Sequence, residues 1–293
     1  MSKFTGNGGG KLILMGEHAV VYGKPAIGMN LDRGIEAALT AIDKGPPTVE
    51  LDQRGFAAFV SAAAHAGLDP GRFNVAITSS LPVGQGLGSS AALSVALGRA
   101  MLAALGREET DEKVIELAHV METVFHGSPS GMDARLALGR GPLLFRKGEE
   151  PETLRVGAAV PIVVLTTESS PSTKVMVRRV REQYEKNPKK ISGLMDHIEN
   201  LVLEAGTFIQ KGHLYELGRA MNENHGVLWA LGVSTGELDS LREKALKAGS
   251  PGAKLTGGGG GGAVICLAGD RDHADRLLQE LKIEDNSFVT MLR

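Results

Sequence analysis

A lysine, two carboxylates and a serine in this sequence have the chemistry that a phosphate-handling site needs. Lys11 precedes a short apolar segment, Glu122 lies near the end of a predicted helix, and Asp133 ends a loop rich in glycine and proline. Ser90 stands where a glycine-rich segment runs into another predicted helix. Phosphoryl transfer requires a phosphate cradle, a cation that offsets charge, and a group that orients or deprotonates the acceptor hydroxyl. The sequence holds candidates for each of these tasks.

The glycine-rich segment 81–92, Leu-Pro-Val-Gly-Gln-Gly-Leu-Gly-Ser-Ser-Ala-Ala, is the predicted phosphate cradle. A helix N-terminus attracts phosphate through its free N–H groups, and glycines let the backbone wrap closely around the oxygens. The segment is neither a P-loop, because no lysine follows the glycines, nor a dinucleotide fingerprint, because Ser89 replaces the third glycine. The alternative is an ordinary strand-to-helix turn with a serine cap. We predict phosphate binding by Pro82, Gly84, Gln85, Gly86, Leu87, Gly88, Ser89 and Ser90.

The charged residues are predicted to act together at this cradle. Glu122 and Ser90 offer the oxygen ligands that Mg²⁺ prefers, which predicts a metal site. Asp133 is the predicted base for a substrate hydroxyl, and Lys11, facing it, would keep that carboxylate ionised. The alternatives are a solvated helix face for Glu122, a helix N-cap for Asp133 and a surface loop for Lys11.

Two further segments carry candidate site residues. Glu17 and His18 interrupt an otherwise apolar stretch, where a charged pair marks a site more often than a core. Residues 257–262 are six consecutive glycines, preceded by Lys254 and followed by a predicted strand. A flexible linker is the alternative for this run, but its place between ordered elements favours close approach to a substrate or phosphate. The eight histidines show no zinc-ligand spacing.

The elements that position these residues are predicted from apolar periodicity. Strands are expected at 11–15, 19–22, 25–31, 35–42, 73–79, 158–166, 263–268 and 287–291, and residues 254–262 are expected to form a loop. Helices are expected at 89–105, 110–125, 173–186, 190–210, 214–231, 234–248 and 271–282. This order indicates an α+β fold and not an alternating parallel βαβ array. A change in composition near residues 151–161 suggests two domains, 1–158 and 159–293.

Composition excludes several functional classes. The chain has 293 residues, a net charge of −2 and one cysteine, Cys266, so it can form neither an internal disulfide nor a cysteine zinc cluster. Its charge gives no reason to bind nucleic acid or an anionic membrane, and no apolar run approaches the roughly 20 residues of a membrane span. Because residues 1–10 also lack the apolar core of a signal peptide, we predict a cytoplasmic protein. Apolar stripes on the polar helices after Thr173 favour a homodimer.

Three of these segments together resemble the GHMP kinases, a family that includes galactokinase and the homoserine, mevalonate and phosphomevalonate kinases. Residues 10–23 resemble its first motif, residues 82–92 its second, phosphate-binding motif, and residues 254–263 its third. The motifs follow the family's order and span nearly the whole chain. Within the family, residues 16–23 and the stretch from Glu122 to Asp133 are most similar to the mevalonate kinases.

The resemblance implies a fold and an activity. The fold is the two-domain α+β GHMP kinase fold, with a ribosomal S5 domain 2-like N-terminal domain and a ferredoxin-like C-terminal domain. The activity is phosphorylation of (R)-mevalonate by ATP and Mg²⁺ to (R)-5-phosphomevalonate, in the mevalonate route to isoprenoids. Another GHMP kinase, such as a phosphomevalonate or homoserine kinase, and a non-catalytic ligand-binding relative are the alternatives.

The resemblance also assigns roles to residues. Asp133 is the catalytic base and Lys11 its partner, while the backbone of the cradle binds the ATP phosphates. Mg²⁺ is held by Ser90 and Glu122, and mevalonate is bound near Glu17, His18, Gly259 and Gly260.

The sequence departs from the family pattern in each of the three motifs. Gly8-Gly9-Gly10 stands where Ala-Pro-Gly is usual, which predicts a looser approach to Lys11 because proline would stiffen it. Gln85 replaces the usual alanine of the second motif, and Gly258 that of the third. We expect these changes to affect nucleotide affinity more than the type of reaction.

Overall fold

The fold combines nine strands and nine α-helices within the residues that the computed structural model describes, 1–82, 85–127, 129, 131–168, 173–282 and 286–293. The strands are β1 (Lys3–Met15), β2 (Ala26–Ala41), β3 (Phe73–Ser79), β4 (Leu143–Phe145), β5 (Glu152–Thr153), β6 (Val160–Thr166), β7 (Ala253–Thr256), β8 (Ala263–Leu267) and β9 (Phe288–Leu292). The helices are α1 (Gln53–Ala66), α2 (Ser89–Ala104), α3 (Asp111–His126), α4 (Met132–Ala137), α5 (Thr173–Lys186), α6 (Pro188–Lys211), α7 (Leu214–Ala230), α8 (Gly236–Lys247) and α9 (Arg271–Leu281).

The chain divides into two compact units. The first unit comprises Met1–Lys11, Asn30–Leu81 and Gly88–Arg140, and the second comprises Leu12–Met29, Pro82–Leu87 and Gly141–Arg293. β1 and β2 therefore each contribute residues to both units. The domain boundary expected between residues 158 and 159 remains a prediction.

The first unit packs helices α1 to α4 with strands whose glycines permit close contact. β2 pairs antiparallel with β3, from Ile35 opposite Ser79 to Ala41 opposite Phe73. A Cβ atom built on Gly6 would lie 2.3 Å from the carbonyl oxygen of Ala96, and one on Gly8 would lie 2.0 Å from that of Ala92. Because alternate residues of a strand share a face, these glycines let β1 lie directly on α2. The looser loop expected at Gly8-Gly9-Gly10 is therefore wrong, since these residues belong to β1.

The second unit is built on a four-stranded sheet in the order β7-β8-β6-β9. Both neighbours of β6 run antiparallel to it, and every residue of β6 and β8 is buried. The start of β2 pairs with β4, with Ala26 opposite Phe145, and helices α5 to α9 complete this unit. These strand pairings are antiparallel, so the predicted α+β class is confirmed.

Several predicted elements differ from the structure. Residues 19–22 form a 3₁₀ turn instead of a strand, and the strands expected at 25–31 and 35–42 are one continuous β2. Lys254 lies within β7 and not in a loop. Helix α1, rich in alanine, was not predicted from the sequence. None of the described helices combines the length and apolar character that a membrane span requires.

Candidate active site

The predicted catalytic pair is in contact within the first unit. Lys11 Nζ lies 3.5 Å from Asp133 Oδ1, with Lys11 largely buried and the Asp133 side chain 38% exposed. Asp133 belongs to the first turn of α4, and the preceding N-cap position is held by Gly131 with φ 81°. The alternative of an Asp133 N-cap is therefore wrong. A carboxylate paired with an ammonium and still accessible to solvent can reach a ligand hydroxyl.

The position of Lys11 depends on Gly88. A Cβ atom built on Gly88 would lie 2.4 Å from Lys11 Cγ, so only glycine leaves room for the lysine stem. Gly88 also has φ 77°, a left-handed conformation that glycine adopts without strain. Lys11 is 9% exposed, which excludes the surface-loop alternative.

Glu122 is a buried carboxyl group near the end of α3, 3% exposed, and not a residue of a solvated helix face. Ser94 Oγ donates a hydrogen bond of 3.4 Å to Glu122 Oε1. Burial, and next the nearby carboxylate of Asp133, raise the pKa of Glu122 to about 7, although hydrogen bonds from Ser90 and Ser94 act in the opposite direction. A buried carboxyl group beside a second carboxylate is a place where a cation would be stabilised.

Ser90 and His126 complete this cluster. Ser90 Oγ lies 3.0 Å from His126 Nε2, which lies 3.7 Å from Glu122 Oε2. Burial lowers the pKa of His126. The sequence reasoning assigned no role to Ser94 or His126. Their spacing could have indicated both residues. Ser94 lies four residues after Ser90, and His126 four residues after Glu122, and residues four apart share one face of a helix.

The start of α2 leaves its first N–H groups available. Gly88 holds the N-cap position, and among the described residues no side chain caps the helix, so the serine-cap alternative is wrong. Ser89 and Gly86 are exposed, Ser90 is half-buried, and Pro82 and Leu87 are buried. Uncapped amides at a helix N-terminus bind anions. Gly84 lies outside the described residues.

Gln85 belongs to the second unit, where its side chain bonds to a neighbouring backbone. Its Nε2 donates to the carbonyl oxygen of Thr167 at 3.2 Å. Thr167 Oγ1 accepts from the Gly262 amide at 3.0 Å, and the Thr167 amide donates to the Gly262 carbonyl at 2.8 Å. The glutamine at position 85, a departure from the family pattern, is thus linked through Thr167 to the end of the glycine run.

The glycine run 257–262 has a defined backbone and is not a bare linker. Gly257, Gly259, Gly260, Gly261 and Gly262 have positive φ values. A Cβ atom on Gly259 would lie 2.2 Å from the Val233 carbonyl oxygen, which accepts from the Gly260 amide at 2.7 Å. Only glycine fits such a backbone at Gly259.

Glu17 and His18 are both buried in the second unit, 3% and 5% exposed. Glu17 forms an ion pair with Lys254, which is fully buried. His18 Nε2 donates to the carbonyl oxygen of Gly258 at 2.9 Å, and burial lowers the pKa of His18. The structure thus brings the Glu17-His18 pair and the third glycine segment together, and it adds an ion pair between Glu17 and Lys254 that the sequence did not predict.

His225 supports β7 from α7 and was not predicted as a site residue. Its Nδ1 accepts from the Leu255 amide at 3.2 Å, and its Nε2 lies 3.1 Å from Asp239 Oδ1. Accepting at Nδ1 requires a neutral ring with its proton on Nε2. Burial, and next the charge of Arg242, lower the pKa of His225 to about 4.

Comparison with known proteins finds two matching family models and relatives that align with most of the chain. A family model described as GHMP kinases N terminal domain matches residues 55–141, and one described as GHMP kinases C terminal matches residues 207–286. The chain is 37% identical over 294 residues to a protein of Thermococcus sibiricus named mevalonate kinase, covering 89% of this chain and 88% of the relative. A protein of the same name from Thermococcus gammatolerans is 38% identical over 296 residues, covering 89% and 88%.

The structure is also similar to that of a solved enzyme. Mevalonate kinase of L. major, crystallised in complex with R-mevalonate, aligns with a TM-score of 0.91 and 29% sequence identity. The alignment covers 99% of this chain and 95% of the other.

Proposed function

Because this chain belongs to the GHMP kinase family, we propose that it transfers the terminal phosphoryl group of ATP to the 5-hydroxyl of (R)-mevalonate. The products are (R)-5-phosphomevalonate and ADP, in the mevalonate route to isoprenoids. The 37% identity over 89% of the chain with a protein named mevalonate kinase carries this assignment.

Asp133 and Lys11 perform the chemistry on the acceptor side. Asp133 accepts or directs the proton of the 5-hydroxyl, and it is suited to this because its carboxylate is part-exposed and 3.5 Å from an ammonium. Lys11 stabilises the negative charge that develops on the transferring group. Phosphoryl transfer depends mainly on positioning and electrostatics, so this pair has to be oriented more than activated.

The amides at the start of α2 and the 82–90 segment bind the phosphates of ATP. Glu122 and Ser90 fit a Mg²⁺ site, since they bring a carboxylate and a hydroxyl oxygen into one cluster. The described residues contain no group of three or more His, Cys, Asp or Glu side chains that could hold a metal. Mg²⁺ does not require such a group, because it keeps waters and binds through one or two carboxylates and the substrate's phosphates. When bound, it offsets phosphate charge.

Glu17, His18, Gly259 and Gly260 lie near the acceptor alcohol in this proposal, as its substrate-binding residues. This assignment is supported by a buried polar contact in the second unit, where His18 Nε2 donates a hydrogen bond to the Gly258 carbonyl of the third glycine segment. We also propose domains 1–158 and 159–293, a cytoplasmic location and a homodimer. The buried Cys266 thiol needs no oxidising compartment, and exposed Tyr215 and Trp229 on α7 offer apolar surface for a second copy.

Release of ADP from Mg-ATP, measured with a panel of acceptors, tests the proposed reaction. The panel is (R)-mevalonate, phosphomevalonate, diphosphomevalonate, homoserine, galactose and a reaction without acceptor. We expect turnover with mevalonate alone, and a phosphorylated product of the corresponding mass. Turnover with another alcohol keeps the family and overturns the substrate. ATP binding without any turnover favours a non-catalytic ligand-binding relative.

A further inference from the structure

The backbone at His18 is strained. His18 has φ 61° and ψ −45°, and the Ala19 amide donates to the Glu17 carbonyl oxygen at 2.7 Å. This two-residue hydrogen bond with a positive φ defines a γ-turn of the rare, strained type. Within the described part of the chain, His18 is the non-glycine residue with positive φ. Strain of this kind persists only where surrounding contacts hold it, and it concentrates at functional sites.

Three side-chain contacts join this turn and the strand before it to residues 254–258. Lys254 is ion-paired with Glu17, and His18 Nε2 donates to the Gly258 carbonyl at 2.9 Å. Thr256 Oγ1 donates to the Ile13 carbonyl at 2.8 Å. One contact, at Ile13, lies before the turn, and two, at Glu17 and His18, lie within it, so both the approach to the strained residue and the residue itself are held.

Lys254 differs from His18 and Thr256, which make the other two contacts, because its side chain is charged and fully buried. Its side chain is 0% exposed, and Nζ also donates to its neighbour's carbonyl, that of Leu255, at 2.7 Å. A buried ion pair of this kind adds little net stability compared with an apolar pair, so stability alone does not explain it. Because its side chain is fully buried, Lys254 cannot itself touch a ligand, and it contacts the turn through Glu17.

We propose that Lys254 is a positioning residue that holds the strained Glu17-His18 turn in the conformation that binds the acceptor alcohol. This inference rests on the proposed function for the identity of the acceptor, but the structural role of Lys254 does not. The Lys254 ammonium holds the Glu17 carboxylate in place, and Glu17 is the first residue of the turn. The turn in its strained conformation then sets the position of His18.

A double-mutant cycle on Lys254 and Glu17 tests this role kinetically. Lys254→Met is expected to raise the KM for (R)-mevalonate at least 10-fold while leaving the KM for ATP within twofold. Since Lys254 acts through Glu17, adding Lys254→Met to Glu17→Gln is expected to change the acceptor KM less than twofold further. The double variant leaves no unpaired buried charge. If Lys254→Met alone unfolds, comparing the double variant with Glu17→Gln still tests the proposal. Independent, multiplicative effects of the two substitutions would overturn the proposal.

Leu277→Ala is the matched control for general loosening of the second unit, because Leu277 is buried in α9. It is expected to lower the melting temperature without changing the ratio of the two KM values. If the control shifts the acceptor KM as much as Lys254→Met does, the effect of Lys254 is not positioning.

Hydrogen exchange of the peptide covering residues 16–22 tests the structural role without catalysis. We expect faster exchange in Lys254→Met than in Leu277→Ala, because the Ala19 amide loses its γ-turn partner. Unchanged exchange in Lys254→Met overturns the proposal. A wild-type chain that phosphorylates a different alcohol, or none, would instead overturn the proposed substrate, since exchange in residues 16–22 would still respond to Lys254.

Discussion

Two lysine–carboxylate pairs in this chain use the same functional groups in opposite environments. Lys11 and Asp133 are 3.5 Å apart, and the Asp133 side chain is 38% exposed. The side chains of Lys254 and Glu17 are 0% and 2% exposed and are in close contact. The first pair is accessible to a ligand, while the second is sealed within the second unit.

The difference in burial predicts different consequences when each lysine–carboxylate pair is broken. A part-exposed pair is screened by solvent and contributes little to folding, so its loss affects chiefly what it does to a ligand. Breaking a buried pair leaves an unpaired charge in the interior and costs about 3–5 kcal/mol. In our proposal, one chain thus uses a lysine and a carboxylate once for reaction and once for conformation.

The largest expected effect comes from the accessible pair. Asp133→Asn removes the proton acceptor while keeping the shape of the side chain, so we expect kcat to fall by roughly 10²- to 10⁴-fold. The melting temperature should change little, because this carboxylate is part-exposed. Steady-state kinetics and thermal unfolding measure the two quantities.

Asp111→Asn is the matched control for this substitution. Asp111 also lies in the first turn of a helix, is 37% exposed and is 2.8 Å from a cation, Arg140. It should leave kcat unchanged. Near-normal turnover of Asp133→Asn would remove Asp133 from the reaction and abolish the contrast between the two pairs.

The sealed region is expected to respond to pH through His225, which holds the Leu255 amide next to Lys254. Burial lowers the pKa of His225 from 6.5 to about 4, so between these pH values the unfolded chain binds a proton that the folded chain does not. The stabilising contribution is therefore complete above pH 6.5 and is lost as the pH falls toward 4. The loss amounts to about 3 kcal/mol in the free energy of unfolding.

Urea unfolding from pH 7.5 to pH 4 measures this dependence. His225→Gln cannot take up the proton, so its stability should fall less steeply over the same range. His197→Gln, an exposed position on α6 in the same unit, should retain the slope of the unsubstituted protein. Identical slopes for all three proteins would show that His225 is not a sealed group.

A smaller effect is expected at Glu122, which is buried like the second pair but belongs to the first cluster. Glu122→Gln removes the charge that would face Mg²⁺ and keeps the volume. We expect the Mg²⁺ concentration for half-maximal turnover to rise by at least the roughly 10-fold that losing an outer-shell partner of a metal costs. Calorimetric binding of ADP with and without Mg²⁺ gives a second readout.

Glu116→Gln is the control on the same helix, because Glu116 is exposed and contacts His65. Stability of Glu122→Gln should not fall, since burial disfavours the charged carboxyl at this position. An unchanged Mg²⁺ requirement would place the metal elsewhere.

The accessible pair was more predictable from sequence than the sealed one. Lys11, Glu122 and Asp133 stand beside glycines, apolar runs and helix ends, which are local signals. The partner of Glu17 lies 237 residues away, and no local pattern reports such a contact. Lys254 was expected in a loop because six glycines follow it, yet strand pairing with β8 places it in β7. Likewise, the close approach of Gly8 to Ala92 depends on how β1 packs against α2, which no local pattern of the sequence reports.

The smallest expected effect tests whether Gly88 sets the geometry of the accessible pair. Gly88 and Gly86 lie in one loop with nearly the same φ, 77° and 74°, so alanine strains both backbones similarly. An added Cβ at Gly88 meets Lys11, whereas one at Gly86 has no atom of the described residues within 4 Å. Since a 1 Å displacement can cost about 100-fold in rate, a partial shift of the lysine stem should lower kcat roughly 10-fold in Gly88→Ala. Because Gly86 belongs to the proposed phosphate segment, Gly86→Ala is expected to raise the KM for ATP but to keep its kcat at saturating ATP, at equal loss of stability. Equal kcat values for the two variants would mean that Lys11 reaches Asp133 without the space at Gly88.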